Sequence, residues 1–461
     1  MSGTIARQRQ GLARFRQGDY EGARRAFAKA AESAPGDPAI REALAETLAR
    51  LHRWPEAERE ARAALAMAPR SPSLNDLLAR AALERADHAV ALEHLSASLT
   101  ARPTHAGTLV NLGVVLHRIG EWESAVTAGH AALRLEPGLL AARLGLSLSL
   151  HALGREREAL DVLAAVKRHP MARFNEGFIR AHSGDLEQGL ALMEARLELR
   201  DPGTGHGPRW QGDPVEGTLL VLPEQGLGDV LLMCGFLPSL AARARTVVVQ
   251  APPPLARLFT TCFPDLRIVS TLVDVKADAH VSMMSLAHLS GVRSHADFPV
   301  GPWLSMGTPL PRDRRPRVGI NWAGNPRYAY DAIRSTSLGQ LSPLFEETSV
   351  EWVSLHKGVR EEEARAASLP TPLEAASDFL DTAEVIRGLD LVISTETAIP
   401  NLSAALGVPT IVLTHPAPDW RWIHGHAGIT VAAQHSVGDW SNPIAIARTA
   451  VRSLATAQAA A

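Results

Sequence analysis

Residues 220–235 read LVLPEQGLGDVLLMCG: an apolar run, a glycine turn and a second apolar run. The turn sets Gln225, Gly226, Gly228 and Asp229 just past the carboxyl end of a strand, where an α/β protein opens its cleft. A carboxylate there is placed to serve as a base, and Gln225, Gly226 and Gly228 form a loop on the acceptor side. The plain alternative is that Asp229 caps a helix, worth about 1 kcal/mol. The third glycine of a dinucleotide fingerprint is missing, and no acidic residue ends a second strand at the right distance.

Four later clusters carry similar chemistry. NWAGNPRYAYDAIRS (321–335) follows a strand and reads as a polar, aromatic loop over a cleft, offering Asn325, Arg327 and Arg334. Either arginine would suit a phosphate; a solvated surface explains them equally well. In SLHKG, Lys357 lies just past a strand end, where an anionic group would sit. ISTETAIPNLSAALG is a strand turning into a helix at Thr395, Glu396 and Thr397. The free N–H groups and partial positive charge of a helix start suit a phosphate, although a threonine there also caps the helix. HPAPDWRWIHGH gathers Trp420, Arg421 and Trp422, able to stack a base or to fill a core. His415, His424 and His426 lack the spacing of a zinc site, and no metal is expected.

These loops need strands and helices to hold them. After residue 216 the apolar runs GTLLVL, RTVVVQ, RIVS, RVGINWAG, VEWVSL, LDLVIST and PTIVLT alternate with helical patterns. Such alternation implies parallel sheets covered by helices. A break rich in proline and arginine at 307–319 divides the region in two, so two Rossmann-like halves facing one cleft are expected.

The first two hundred residues follow a different rule. Pro35, Pro69, Pro103 and Pro137 are spaced by 34 residues, with Pro170 one early; Gly18, His52, Ala86, Gly120 and Gly154 keep the same period. Between them, alanine and leucine recur at helical spacing, with Ala23, Ala57, Ala91, Ala125 and Ala159 small enough to let two helices approach. The period is that of the tetratricopeptide repeat. Five units and a sixth, irregular cap would stack into a superhelix whose groove binds a partner protein, with Asn75 and Asn111 as candidate lining residues. The expected fold class is therefore α + α/β. An N-terminal α-solenoid (1–200) leads through a linker (201–216) to the first α/β half (217–310) and the second (311–461), which ends in a terminal helix.

Composition narrows the function classes. Hydrophobic residues make up 46% and charged residues 21%, with 47 basic against 49 acidic side chains and a net charge of -2. No field of one sign points to nucleic acid. No run approaches the roughly eighteen apolar residues of a membrane span, and nothing at the N-terminus resembles a signal peptide. Two cysteines, Cys234 and Cys262, suit a reducing compartment, so a cytoplasmic location is expected.

The ordered series EQGLGD, GINWAGNP…RS, SLHKG, DFLDTAEVIRGLDLVISTETA, NLSAALGVP and PDWRW resembles bacterial proteins that join tetratricopeptide repeats to a GT-B glycosyltransferase region. That region is related to heptosyltransferases and, more distantly, to protein O-GlcNAc transferases. The resemblance implies a base at Asp229, a donor diphosphate on the helix start at Thr397 and Ala398, and a basic residue at Lys357. Relatives usually read DTAVAHLAGALG where this chain has ETAIPNLSAALG, so Glu396 replaces aspartate and Asn401 replaces histidine. Flagellin-modifying transferases share the layout and use a CMP-linked nonulosonic sugar.

The resulting expectation is a metal-independent transferase. It moves a sugar from a CMP- or UDP-linked donor to Ser or Thr of a protein, flagellin being one candidate, and needs no cofactor beyond that co-substrate. Donor contacts are expected from Asn325, Arg334, Lys357, Thr395, Glu396, Thr397, Ala398, Asn401 and Trp422. The alternatives are a non-catalytic repeat scaffold with a degenerate GT-B region, or an enzyme acting on a glycan or lipid.

Overall fold

The computed structural model describes residues 2–203, 205–299, 301–307, 315–358, 360–423 and 428–459. His424, His426 and most of the proline- and arginine-rich break lie outside these residues. The chain forms two compact units: residues 1–162 with 325–332, and residues 163–324 with 333–461.

The first unit is built from antiparallel helix pairs: Ser2–Arg16 with Tyr20–Ser33, Pro38–Arg50 with Trp54–Met67, Pro72–Glu84 with His88–Ala101, and Ala106–Arg118 with Trp122–Leu135. A fifth pair starts with Leu140–Ala152. The five in-phase alanines are all buried, Ala23, Ala57, Ala91 and Ala159 completely. The second ruler has a backbone cause. Gly18, His52, Ala86, Gly120 and Gly154 all lie in the turn between paired helices with φ between 57° and 86°, a left-handed conformation that glycine adopts without penalty. His52 and Ala86 adopt it at φ 57° with a Cβ to accommodate. Ala86→Gly should therefore stabilise the protein by about 0.5–1 kcal/mol. A urea midpoint that falls would contradict this reading of the ruler.

The proline ruler changes its role at the end. Pro35, Pro69, Pro103 and Pro137 sit in the turns between repeats, whereas Pro170 is the first residue of the helix Pro170–His182. Proline is favoured at that position because its missing N–H is not needed there. The one-residue shift is thus a different use of proline, and the sixth pair, Pro170–His182 with Leu186–Met193, belongs to the second unit. Its helices touch through glycines. A Cβ on Gly177 would lie 2.5 Å from the Gly189 carbonyl oxygen. Gly177→Ala should cost about 1–3 kcal/mol, and unchanged chemical unfolding would show that the pair can separate freely.

The segment 325–332 is part of the first unit. The Tyr330 ring stands edge-on to His117 with centroids 5.7 Å apart, and burial raises the pKa of its phenol.

The second unit holds two parallel sheets. In the first, β1 (Val215–Leu222), β2 (Ala244–Gln250), β3 (Arg267–Val269) and β4 (Ala279–Ser282) lie in the order β3-β2-β1-β4. In the second, β5 (Arg317–Asn321), β6 (Glu351–Ser354), β7 (Leu391–Thr395), β8 (Thr410–Thr414) and β9 (Ile429–Ala433) lie in the order β6-β5-β7-β8-β9. β1 alternates as a strand buried on both faces must. Leu219 and Val221 join the large core that also takes Leu186 and Leu190 of the sixth pair, while Leu220 and Leu222 face a small cluster with Val248 and Val275. The outer core of the second sheet centres on Trp322 and receives Ala447 and Val451 of the terminal helix Ser441–Ala459.

Of the stretch 201–216, which reads as a linker, Asp201 and residues 207–210 are docked against His280 of β4, and residues 215–216 open β1. Trp210 donates its N–H to the His280 carbonyl at 2.8 Å, and the His280 N–H donates to the Pro208 carbonyl at 3.0 Å. Asp201 accepts from Arg209 and lies 3.1 Å from His280. No described helix is long and apolar enough to cross a membrane.

Candidate active site

In a parallel α/β sheet, ligands gather where the winding direction reverses, beyond the carboxyl ends of the strands. The second sheet reverses between β5 and β7. Asn321 ends β5, and its Nδ2 donates to Ser394 Oγ and Thr397 Oγ1, each at 3.0 Å. Thr397 then caps the helix Ala398–Ala405, accepting from the Ile399 N–H at 3.3 Å. One asparagine thus fixes the helix start against the neighbouring strand, and the free amides of that helix open at the reversal point. Thr395 Oγ1 and Asn401 Oδ1 are buried there with no hydrogen-bond partner among the described residues.

Below this turn lies Glu396, whose main-chain oxygen accepts from Arg334 Nη1 at 2.7 Å. Burial, reinforced by the nearby Asp419 charge, pushes its carboxyl up to about 8. The Asp419 N–H and the Trp422 indole donate to it. His415 Nε2 stands 3.4 Å from Glu396 Oε2, and burial pushes that histidine down to about 4. Both groups are therefore neutral between those pH values, and the contact is one between uncharged partners rather than an ion pair.

The first sheet reverses between β1 and β4. Glu224, just after β1, is consumed there by the buried Arg196, whose Nε and Nη2 donate to it at 2.8 and 2.9 Å. The turn beyond it stays available. Gln225 is held at φ 65°, and such non-glycine strain clusters at functional sites. Gly226 is the N-cap of the helix Leu227–Met233, and Asp229 is its third residue, accepting from the Gly226 N–H at 2.9 Å. The expected N-cap role of Asp229 is thus corrected by three positions.

The two turns meet. A Cβ on Gly228 would lie 3.0 Å from Asn401 Nδ2 and 3.5 Å from Ala398 Cα, so a larger residue there would press on the Asn401 amide. Arg421 spans the junction: Nε is 3.0 Å from Asp229 Oδ1, Nη2 donates to Gln225 Oε1 at 3.0 Å, and Nη1 donates to Asp419 Oδ2 at 2.7 Å.

Gln225, Gly226, Gly228, Asp229, Arg334, Thr395, Glu396, Thr397, Ala398, Asn401 and Trp422 thus converge. Trp422 is buried and serves Glu396, so its ring does not offer a stacking face. Lys357 donates to the Ala376 carbonyl and stays outside the cluster. Asn325 belongs to the first unit, where its side chain accepts from the Arg327 N–H at 3.0 Å. Asn75 is buried inside the solenoid, its Oδ1 2.8 Å from His94 Nδ1, and offers nothing to a groove. Asn111 lines a cavity of about 520 Å³ with Trp54, Arg80 and Arg118. Sequence reasoning did not assign Asn321 or Asp419, and it marked Arg421 only as a stacking partner beside Trp420 and Trp422. For Asn321 the available signal was a polar residue closing an otherwise apolar strand.

The tetratricopeptide repeat family matches residues 14–81 and 77–139, and the N-terminal region is a repeat array of that kind. Protein FlbA of Caulobacter vibrioides is 24% identical over 430 residues, covering 79% of this chain and 70% of that protein. Among solved structures, the thermophilic TPR protein TTC0263 of Thermus thermophilus is similar at 25% identity and a TM-score of 0.33, covering 42% of this chain and 99% of that one. MamA of Desulfovibrio magneticus RS-1 is similar at 19% identity and a TM-score of 0.34, covering 36% and 95%.

Proposed function

We propose that the second unit is a nucleotide-sugar-dependent glycosyltransferase of GT-B type and that the repeats recruit its protein acceptor. The observation that carries this reading is the meeting of two sheet-reversal points, with Gly228, next to Asp229 in one turn, against the helix start at Thr397–Ala398 of the other. The donor phosphate, a diphosphate in a UDP-linked sugar and a single phosphate in a CMP-linked one, would be stabilised on that helix start by its amides and by Arg334 and Arg421. The acceptor Ser or Thr oxygen attacks the anomeric carbon, and its proton passes to the Asp229 carboxylate. The bond to the phosphate oxygen breaks with its electron pair leaving on the phosphate. The sequence resemblance points to flagellin as acceptor and to CMP or UDP as the leaving nucleotide, and the sparse cysteines suit the cytoplasm as the location.

Incubation with CMP- and UDP-linked sugars and a candidate acceptor, followed by intact-mass spectrometry, tests the reading. A gain of one glycosyl residue on Ser or Thr is the expected result. No gain and no donor hydrolysis would leave a scaffold that binds without turnover.

A further inference from the structure

Three oxygens of this chain face the Arg421 guanidinium: Asp419 Oδ2 and Gln225 Oε1 accept hydrogen bonds from it, and Asp229 Oδ1 stands against Nε as an ion-pair partner. Asp419 lies two residues before Arg421 and also accepts the Arg421 main-chain N–H at 2.9 Å, so that pairing is local. The contacts to Asp229 and Gln225 come from the opposite half and depend on the strained turn at Gln225. Trp420, fully buried, lies under the guanidinium with 5.1 Å from Cζ to the ring centroid, fixing its plane. An arginine held flat, with one face filled by a residue of another element, has the form of an oxyanion receptor.

The surroundings point to the same ligand. Gly228 adjoins Asp229 and abuts the first turn of the helix Ala398–Ala405, and Asn401, 6% exposed, turns its donor Nδ2 toward that junction. Helix amides, Arg334 and Arg421 supply positive character, while Asp229 is the anion now set among them.

We propose that Arg421 is a diphosphate-binding residue whose site is held by the Asp229 carboxylate, and that a bound diphosphate takes the guanidinium and releases Asp229. The exchange rests on the glycosyltransferase reading for its purpose and takes its UDP-linked form: the anion that binds Arg421 is the donor diphosphate, and the carboxylate it frees is the base. One carboxylate thereby stays paired until the leaving group is in place.

The test is the affinity of inorganic pyrophosphate for the full chain and for Asp229→Asn, Arg421→Ala and Arg421→Lys, measured by calorimetry. Asparagine keeps the acceptor for the Gly226 N–H and removes the competing charge, so Asp229→Asn should bind about tenfold more tightly. Arg421→Ala should bind at least about tenfold more weakly, and Arg421→Lys, a point charge without the planar fork, should fall between. Thermal midpoints establish that each variant is folded. Opposite signs for the two positions are the expected result. A merely structural bridge would weaken binding in both or change it in neither, and either outcome overturns the proposal, as does a complete lack of pyrophosphate binding by the full chain and by Asp229→Asn. If pyrophosphate behaves as stated while no nucleotide sugar binds or turns over, the anion site stands and the glycosyltransferase reading fails.

Discussion

Glutamine in place of Glu396 should abolish most of the loss of stability that the protein suffers between about pH 6 and pH 8. The folded carboxyl keeps its proton up to about 8, against an ordinary value of 4.5. Between those values the unfolded chain binds fewer protons than the folded one, so stability falls as pH rises. At about 1.4 kcal/mol per unit, the loss amounts to roughly 3–5 kcal/mol by pH 8. An uncharged amide accepts from the Asp419 N–H and the Trp422 indole as the protonated acid does, and it never ionises. The acid side carries the opposite sign: burial pushes His415 down to about 4 and His356 down to about 3. The unfolded chain therefore binds more protons below about pH 6.5, and stability falls again as pH drops. The wild type should be most stable near pH 6. In urea titrations at pH 5, 6.5 and 8, Glu396→Gln should match the wild type at the lowest pH and exceed it at the highest. Parallel alkaline slopes in the two proteins would remove Glu396 as their source.

Asp229→Asn should reduce sugar transfer by about 10²–10⁴-fold, the usual contribution of a positioned general base. The substitution keeps the side chain's shape and its contact with the Gly226 N–H while withdrawing the proton acceptor. Binding should tighten as turnover collapses, because the same change frees Arg421 for the donor. Loss of a helix-end contact alone would instead lower stability by about 1 kcal/mol and leave turnover in the folded fraction intact. Steady-state rates at saturating donor separate the two. A turnover within a factor of a few of the wild type would reduce Asp229 to a helix residue.

The solenoid was legible because its signal is local and repeated. A left-handed turn recurs every 34 residues and selects glycine, or forces His52 and Ala86 to adopt the same conformation. The apolar strands were legible for a related reason: burial on both faces leaves an uninterrupted β-branched run. β4 and β9 escaped notice. In β4 the sequence AHVS reads as polar, yet His280 is buried because Asp201 and the Gly207 carbonyl, distant in the chain, take its ring nitrogens. β9 is five residues whose pairing depends on β8.

The site divides along the same line. Thr395, Thr397 and Asp229 were marked because a strand, a turn and a helix follow each other within a few residues. Asn321 acquires its role only when β7 is laid beside β5. Arg421 acquires its role only when the two sheets are brought together. Trp422 misled for the same reason, since an aromatic ring beside an arginine reads alike whether it stacks a ligand or fills a core. The departures Glu396 and Asn401 have coherent surroundings in the fold: one is a buried neutral carboxyl bonded by its own loop, the other a buried amide packed on Gly228.

Thermal unfolding of the full chain in the presence of UDP, CMP, ADP and GDP, each at millimolar concentration, tests the central claim most directly. A ligand at about one hundred times its dissociation constant stabilises the folded state by roughly 2.7 kcal/mol, a displacement that is readily measured. The account predicts that one of the four raises the midpoint and that its base names the donor. Four unshifted midpoints would contradict it, leaving the junction of Asp229, Arg421 and Thr397 as a structural seam.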